Sequence, residues 1–183
     1  MEKATPQPAR YRFTVDEYDR MGEMGIFKDT RVELIEGTII DMTPINSMHA
    51  SLVDKLSNWL SALHAGQVIV RSQNPLRLST TSEPEPDITI LDFAPDFYAS
   101  GHPGPKQTQL VIEVSDTSLA YERETKGTLY AAYHLPEYWI VSIQDQQLEC
   151  YSEPGNGAYQ KKEIRTGCTR ISMTWLSGTT FTR

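Results

Sequence analysis

The chain is poor in several things, and each shortage excludes a class of protein. Cysteine occurs twice in 183 residues, at Cys150 and Cys168. No CxxC pair or His–Cys cluster accompanies them, so a structural zinc site and a disulfide scaffold are both excluded, and two free thiols in a reducing compartment are expected. No apolar run approaches the roughly 20 residues that a membrane-spanning helix requires. The first ten residues, Met1 to Arg10, are polar with two prolines and have no apolar signal core, which points to a cytoplasmic protein with a loose N-terminal tail. A basic excess is also missing. Net charge is −7, which argues against broad electrostatic attraction to a polyanion. The charge is uneven, however. Residues 160–183 carry Lys161, Lys162, Arg165, Arg170 and Arg183 against Glu163, giving +4 there and −11 elsewhere.

What is present is an ordinary globular composition, 39% hydrophobic and 22% charged. The length fits one domain, read here as residues 11–183 behind a flexible tail at 1–10. Thr14 followed by Glu17 is a capping-box signature, and it predicts a short helix running to about Glu23. Residues 31–42 hold two β-rich runs flanking Glu36-Gly37, a hairpin signal. Between Ser47 and Leu63 the apolar residues Leu52, Val53, Leu56, Trp59, Leu60 and Leu63 repeat with helical spacing. Strands are predicted over 67–78 and 87–93. Residues 94–107 are rich in proline and glycine and are the best candidate for an active-site flap. Leu110 to Val114 is a nearly continuous apolar run, hence a buried strand. A helix over 121–134, a buried strand over 137–143 and an antiparallel meander with strands at 148–151, 159–164 and near Ile171 complete the chain. The order of elements gives a mixed sheet with helices on its faces.

Three residues carry more polarity than their surroundings call for. Glu113 lies inside L-V-I-E-V, where an unpaired carboxylate costs several kcal/mol. It either faces the open side of the sheet, pairs with an arginine, or binds an ion. Asp87 opens a strand that can neighbour the Glu113 strand, and their carboxylates would converge. Like charges that close do not both ionise cheaply, and a divalent cation removes the penalty. Oxygen ligands favour Mg²⁺ or Mn²⁺ over zinc. Lys126 follows on the next helix. It sits four residues after Glu122, so a solvated helix-surface pair is the competing explanation for it.

In sequence order these residues resemble the PD-(D/E)XK nuclease superfamily, and within it the Uma-two family of restriction-endonuclease-like proteins. The resemblance rests on F-T-V-D-E-Y at 13–18, R-V-E-L-I-E-G at 31–37, His49, P-D at 86–87, V-I-E-V-S at 111–115, K-x-x-x-Y at 126–130 and P-E-Y-W-I-V at 136–141. It covers the chain from about Phe13 onward. The lysine that usually follows the glutamate by two residues is Ser115 here, and Lys126 on the next helix stands in its place. The resemblance implies a restriction-endonuclease-like α/β (α+β) fold. It implies a metal-dependent endonuclease acting on nucleic acid, DNA first, with Asp87 and Glu113 holding Mg²⁺ or Mn²⁺ and Lys126 activating water or stabilising the phosphate. Glu33, His49 and Gln73 are secondary candidates: Glu33 as a third acidic ligand, His49 as a phosphate or carboxylate contact, Gln73 as a polar neighbour. A homodimer is expected, with Trp175 and Leu176 as candidate contact residues. The competing function is a nuclease-fold protein with little or no cleavage that binds nucleic acid or a partner.

Overall fold

The computed structural model describes residues 9–64 and 66–166, and its contacts divide them into two compact units. The first unit comprises residues 9–43 and 78–84. Its helix α1 (Val15–Glu23) starts at Thr14, whose side chain accepts a hydrogen bond from the Glu17 amide while the Glu17 carboxylate accepts one from the Thr14 amide. Strands β1 (Val32–Ile35) and β2 (Thr38–Asp41) pair antiparallel around Glu36-Gly37. Both turn residues have positive φ, 45° and 76°, the requirement of a tight hairpin turn whose twist matches its strands. Gly37 is needed for a second reason, since a Cβ there would lie 2.6 Å from the Arg12 Cβ.

The second unit comprises residues 44–77 and 85–166. It holds helix α2 (Ser47–Leu63) and a six-stranded sheet with spatial order β3 (Val68–Ser72), β4 (Ile88–Asp92), β5 (Thr108–Ser115), β6 (Glu137–Ser142), β7 (Gln147–Gly155), β8 (Ala158–Thr166). Only the β5–β6 pair is parallel. A parallel pair needs a crossover, and here a helical segment supplies it: α3 (Leu119–Tyr121), a π-helical turn (Glu122–Lys126) and α4 (Gly127–Ala132).

The strand pattern divides the sheet into two faces with different jobs. Ile88, Ile90, Leu110, Ile112, Val114, Trp139, Val141 and Leu148 form a core with Val53, Leu56 and Leu60 of α2. The residues that alternate with them point the other way, and among these are Glu113, Tyr138, Ile140, Glu149 and Tyr151. The apolar run of β5 is therefore continuous because both faces of that strand are covered, not because it lacks a second chemistry.

Three expectations are corrected. The strand read over 67–78 ends at Ser72, because Gln73 takes a left-handed φ of 52° that breaks the extended run. The helix read over 121–134 begins at Leu119, and it is interrupted by the π-helical turn rather than regular. The segment suggested as a flap joins the ends of β4 and β5 that lie away from Asp87 and Glu113. It is tied down by Arg71 donating to the Phe97 carbonyl and by the Arg77 amide donating to the Pro103 carbonyl. The last expected strand, near Ile171, and the residues Trp175 and Leu176 lie outside the described residues. Among the described residues no helix is long and apolar enough to cross a membrane.

This division of labour makes a stability prediction. Leu60→Ala, at a residue 1% exposed under the sheet, should cost about 2–5 kcal/mol in denaturant unfolding. Phe93→Ala, at a residue 47% exposed, should stay within about 0.5 kcal/mol of the parent.

Candidate active site

The site is set by where one strand pairing stops. The β4–β5 ladder runs to Ile88 opposite Ile112, so the next position sets Asp87 against Glu113. Strand β5 continues past that point to pair with β6, which leaves its amides on the β4 side in need of acceptors. Asp87 Oδ2 accepts from the Val114 amide at 2.9 Å, and Glu113 Oε2 accepts from the Asp87 amide at 3.0 Å. Each carboxylate is thus fastened to the other's strand by a charge-assisted bond to main chain. The register carries the row further: Glu113 pairs with Ile140, Ile140 with Glu149, and Glu149 with Ile164.

Two further side chains close on Asp87. Gln73 Nε2 donates to Asp87 Oδ1 at 3.2 Å, and its own amide bonds the Pro86 and Asp87 carbonyls. The left-handed backbone of Gln73 is a conformation that non-glycine residues adopt at a cost, and here the two carbonyls hold it. His49 Nε2 lies 3.0 Å from Asp87 Oδ2. Its placement comes from Asn46, which caps α2 by accepting from the His49 amide and which also donates to Asp116 just beyond β5. The hydrogen bond to Asp87 raises the His49 pKa, outweighing burial, which acts the other way. His49 Nδ1 is buried without a hydrogen-bond partner among the described residues.

Lys126 is the largest correction to the solvated-pair alternative. It is 3% exposed, and its Nζ lies 3.3 Å from Glu113 Oε1. Tyr130, one turn on and fully buried, donates to the same oxygen at 2.9 Å. In a regular α-helix residues four apart drift by about 40° around the axis, so 122, 126 and 130 would not stay aligned. The π-helical turn widens the helix, closing with the Gly127 amide on the Glu122 carbonyl, and it counters that drift. Tyr138 donates to the Glu122 carbonyl at 3.1 Å and so secures the turn from β6.

Glu122, read from the sequence only as Lys126's surface partner, is a buried site residue. Burial raises its pKa first, Glu113 and Asp87 push the same way, Lys126 pulls back, and the result is about 8. Its carboxyl is thereby pushed toward the protonated form. Only the i, i+4 spacing to Lys126 hinted at it, and that spacing gave the wrong environment. Glu33 is found in the first unit, buried on β1 rather than exposed on the hairpin. Among the described residues no group of three or more His, Cys, Asp or Glu side chains is arranged to hold a metal ion. The donor chemistry of Asp87 and Glu113, two carboxylates without sulfur, nonetheless fits a hard divalent cation that keeps much of its water.

The mixed sheet with its helical crossover is a nuclease fold. A crystal structure of a putative nuclease belonging to DUF820 from Anabaena variabilis ATCC 29413 shares the fold, with a TM-score of 0.67 and 15% sequence identity over 85% of each chain. The profile of the family described as "Putative restriction endonuclease", Uma2, matches residues 15–182. The chain belongs to the Uma2 family. A comparison with curated protein sequences found no match.

Glu122 makes the stability of the metal-free protein pH-dependent. Its folded pKa lies above the ordinary carboxyl value of 4.5, so between 4.5 and about 8 the folded state binds the extra proton. Stability from this group is full below 4.5 and is lost as pH rises through about 8, a loss on the order of a few kcal/mol. Glu122→Gln should flatten the fall, as read by urea midpoints at pH 5, 7 and 9. Parallel curves for the two proteins would remove Glu122 from the buried cluster.

Proposed function

We propose that this chain is a metal-dependent endonuclease that hydrolyses phosphodiester bonds in nucleic acid, DNA in the first instance. The observation that carries the reading is the convergence of Asp87, Glu113 and Lys126 on one end of the β4–β5 pair. In this reading Asp87 and Glu113 hold Mg²⁺ or Mn²⁺. The bound ion supplies a more acidic water and neutralises phosphate charge. The reading treats residues 11–183 as a single nuclease-like domain, because the family match runs through nearly all of them.

The chain's own residues do the rest. Lys126 keeps a fixed positive charge beside the carboxylates, where it stabilises the negative charge that develops on the phosphate. Glu113 and Tyr130 restrict that side chain to one position, so little reorganisation is needed during reaction. His49 steadies Asp87 through Nε2. Gln73 fixes the other oxygen of Asp87.

A second reading has its own support. Net charge of −7 and a Lys126 that is 3% exposed both favour a nuclease-fold protein that binds nucleic acid or a partner and cleaves slowly or not at all. One experiment separates the two. Supercoiled DNA, linear DNA and RNA are incubated with the protein in Mg²⁺, Mn²⁺ or EDTA. The enzyme reading expects cleavage in metal and none in EDTA. Lys126→Ala should then lower the rate by roughly 10²-fold or more, with metal affinity nearly unchanged. Cleavage that survives Lys126→Ala would remove this lysine from the chemistry, and binding without cleavage would establish the second reading.

A further inference from the structure

Glu149 is as deeply buried as any residue in the structure, at 0% exposure, and the proposed reaction makes no use of it. It stands on the same sheet face as Glu113, two strands along the same cross-strand row, roughly 10 Å away at about 4.8 Å per strand. Four donors surround it. Arg123 contributes Nε at 3.1 Å and a second, close bond from a terminal guanidinium nitrogen. Lys162 Nζ lies 2.9 Å away, Gln147 Nε2 donates at 2.8 Å, and the Tyr151 hydroxyl donates to Oε2. Burial alone would raise its pKa, but these donors together hold the carboxyl down at about 2. An ion pair this well satisfied fixes geometry.

What it fixes is the turn that carries Lys126. Arg123 is the second residue of the π-helical turn Glu122–Lys126. A forked, two-point bond from Arg123 to a strand sets the rotation of that turn about the helix axis. Lys126, three residues later, reaches Glu113 on the other side of Tyr138. The turn is therefore pinned at β7 by Arg123, at β6 by the Tyr138 hydroxyl on the Glu122 carbonyl, and at β5 by Lys126 and Tyr130. A π turn is rarely adopted without such support. Relaxing the turn to α geometry would rotate Lys126 and Tyr130 together about the helix axis relative to Arg123, away from Glu113.

We propose that Glu149 is a positioning residue, which acts through Arg123 to hold the π-helical turn so that Lys126 and Tyr130 converge on Glu113. The consequence for catalysis rests on the nuclease reading above, but the positioning itself does not. The alternative job for Glu149 is to tie β7 to β8 through Lys162.

The test uses the full chain without metal and reads structure, not activity. Hydrogen exchange is measured over the whole chain, and amine acylation is followed lysine by lysine by mass spectrometry, in the parent, Glu149→Gln, Arg123→Gln and Lys162→Gln. Positioning through Arg123 predicts that amides 122–127 exchange about tenfold faster or more in Glu149→Gln and Arg123→Gln. It predicts a similar rise in Lys126 acylation, with exposed Lys161 unchanged. Lys162→Gln should leave 122–127 protected. Faster exchange confined to 147–166, with Lys126 still shielded, would overturn the proposal, as would Lys162→Gln exposing Lys126 as much as Arg123→Gln does. Should Glu149→Gln fail to fold, Arg123→Gln carries the same comparison, since that side chain is 38% exposed. Where the parent cleaves nucleic acid, Glu149→Gln should lower kcat at unchanged KM, and it should add nothing in a Lys126→Ala background. Additive losses would contradict action through Lys126. A parent that does not cleave refutes the nuclease reading, while the exchange and acylation results still decide this one.

Discussion

Two carboxylates lie side by side where the β4–β5 pairing ends, each bonded to main chain of the other's strand. Unscreened, two such charges repel and lose hydration together, and every neighbouring feature answers that cost. Lys126 and Tyr130 come to Glu113, while His49 and Gln73 come to Asp87. Glu122, a further carboxyl nearby, is pushed toward its neutral form, by burial first and by the charges of Glu113 and Asp87 after it. The surroundings are thus ordered by charge: cations and donors converge on the pair, and the carboxyl of Glu122 is pushed toward its protonated form.

The scaffold separates this polar arrangement from the apolar one. One sheet face, under α2, carries the hydrophobic core and needs no polar partner. The other face carries the row with Glu113 and Glu149, and the π-helical crossover lies against it. Because strand side chains alternate, both faces are specified by one stretch of sequence, and a one-residue slip of β5 would exchange Glu113 with its apolar neighbours. From Leu110 to Ile112 β5 is backbone-paired on both sides, and this makes such a slip costly.

How legible this was depended on the range of the interaction involved. The capping box at Thr14, the turn at Glu36-Gly37 and the amphipathic α2 are local patterns, and the structure has each of them where the residues put it. Glu113 stood out because a carboxylate inside an apolar strand has few explanations. His49 and Gln73 were placed beside Asp87 only by the family pattern and by strand order, and the structure brings both to it. Lys126 too was placed beside Glu113 only by the family pattern, because its spacing to Glu122 is that of an exposed α-helical pair and nothing local announces a π turn. Glu149 was missed for the same reason: its partners Arg123 and Lys162 are distant in sequence, and a glutamate between Leu148 and Cys150 looks like any strand residue. The flap expectation failed because proline and glycine mark a loop without saying which end of a strand it serves.

The central claim is that Asp87 and Glu113 form one oxygen site that a divalent cation completes. Mn²⁺ titrated calorimetrically into the metal-free parent, and into the isosteric double variant Asp87→Asn with Glu113→Gln, tests it without reference to any substrate. The account predicts saturable binding by the parent and its loss in the double variant, with both proteins folded by circular dichroism. Equal Mn²⁺ binding by the two would contradict it.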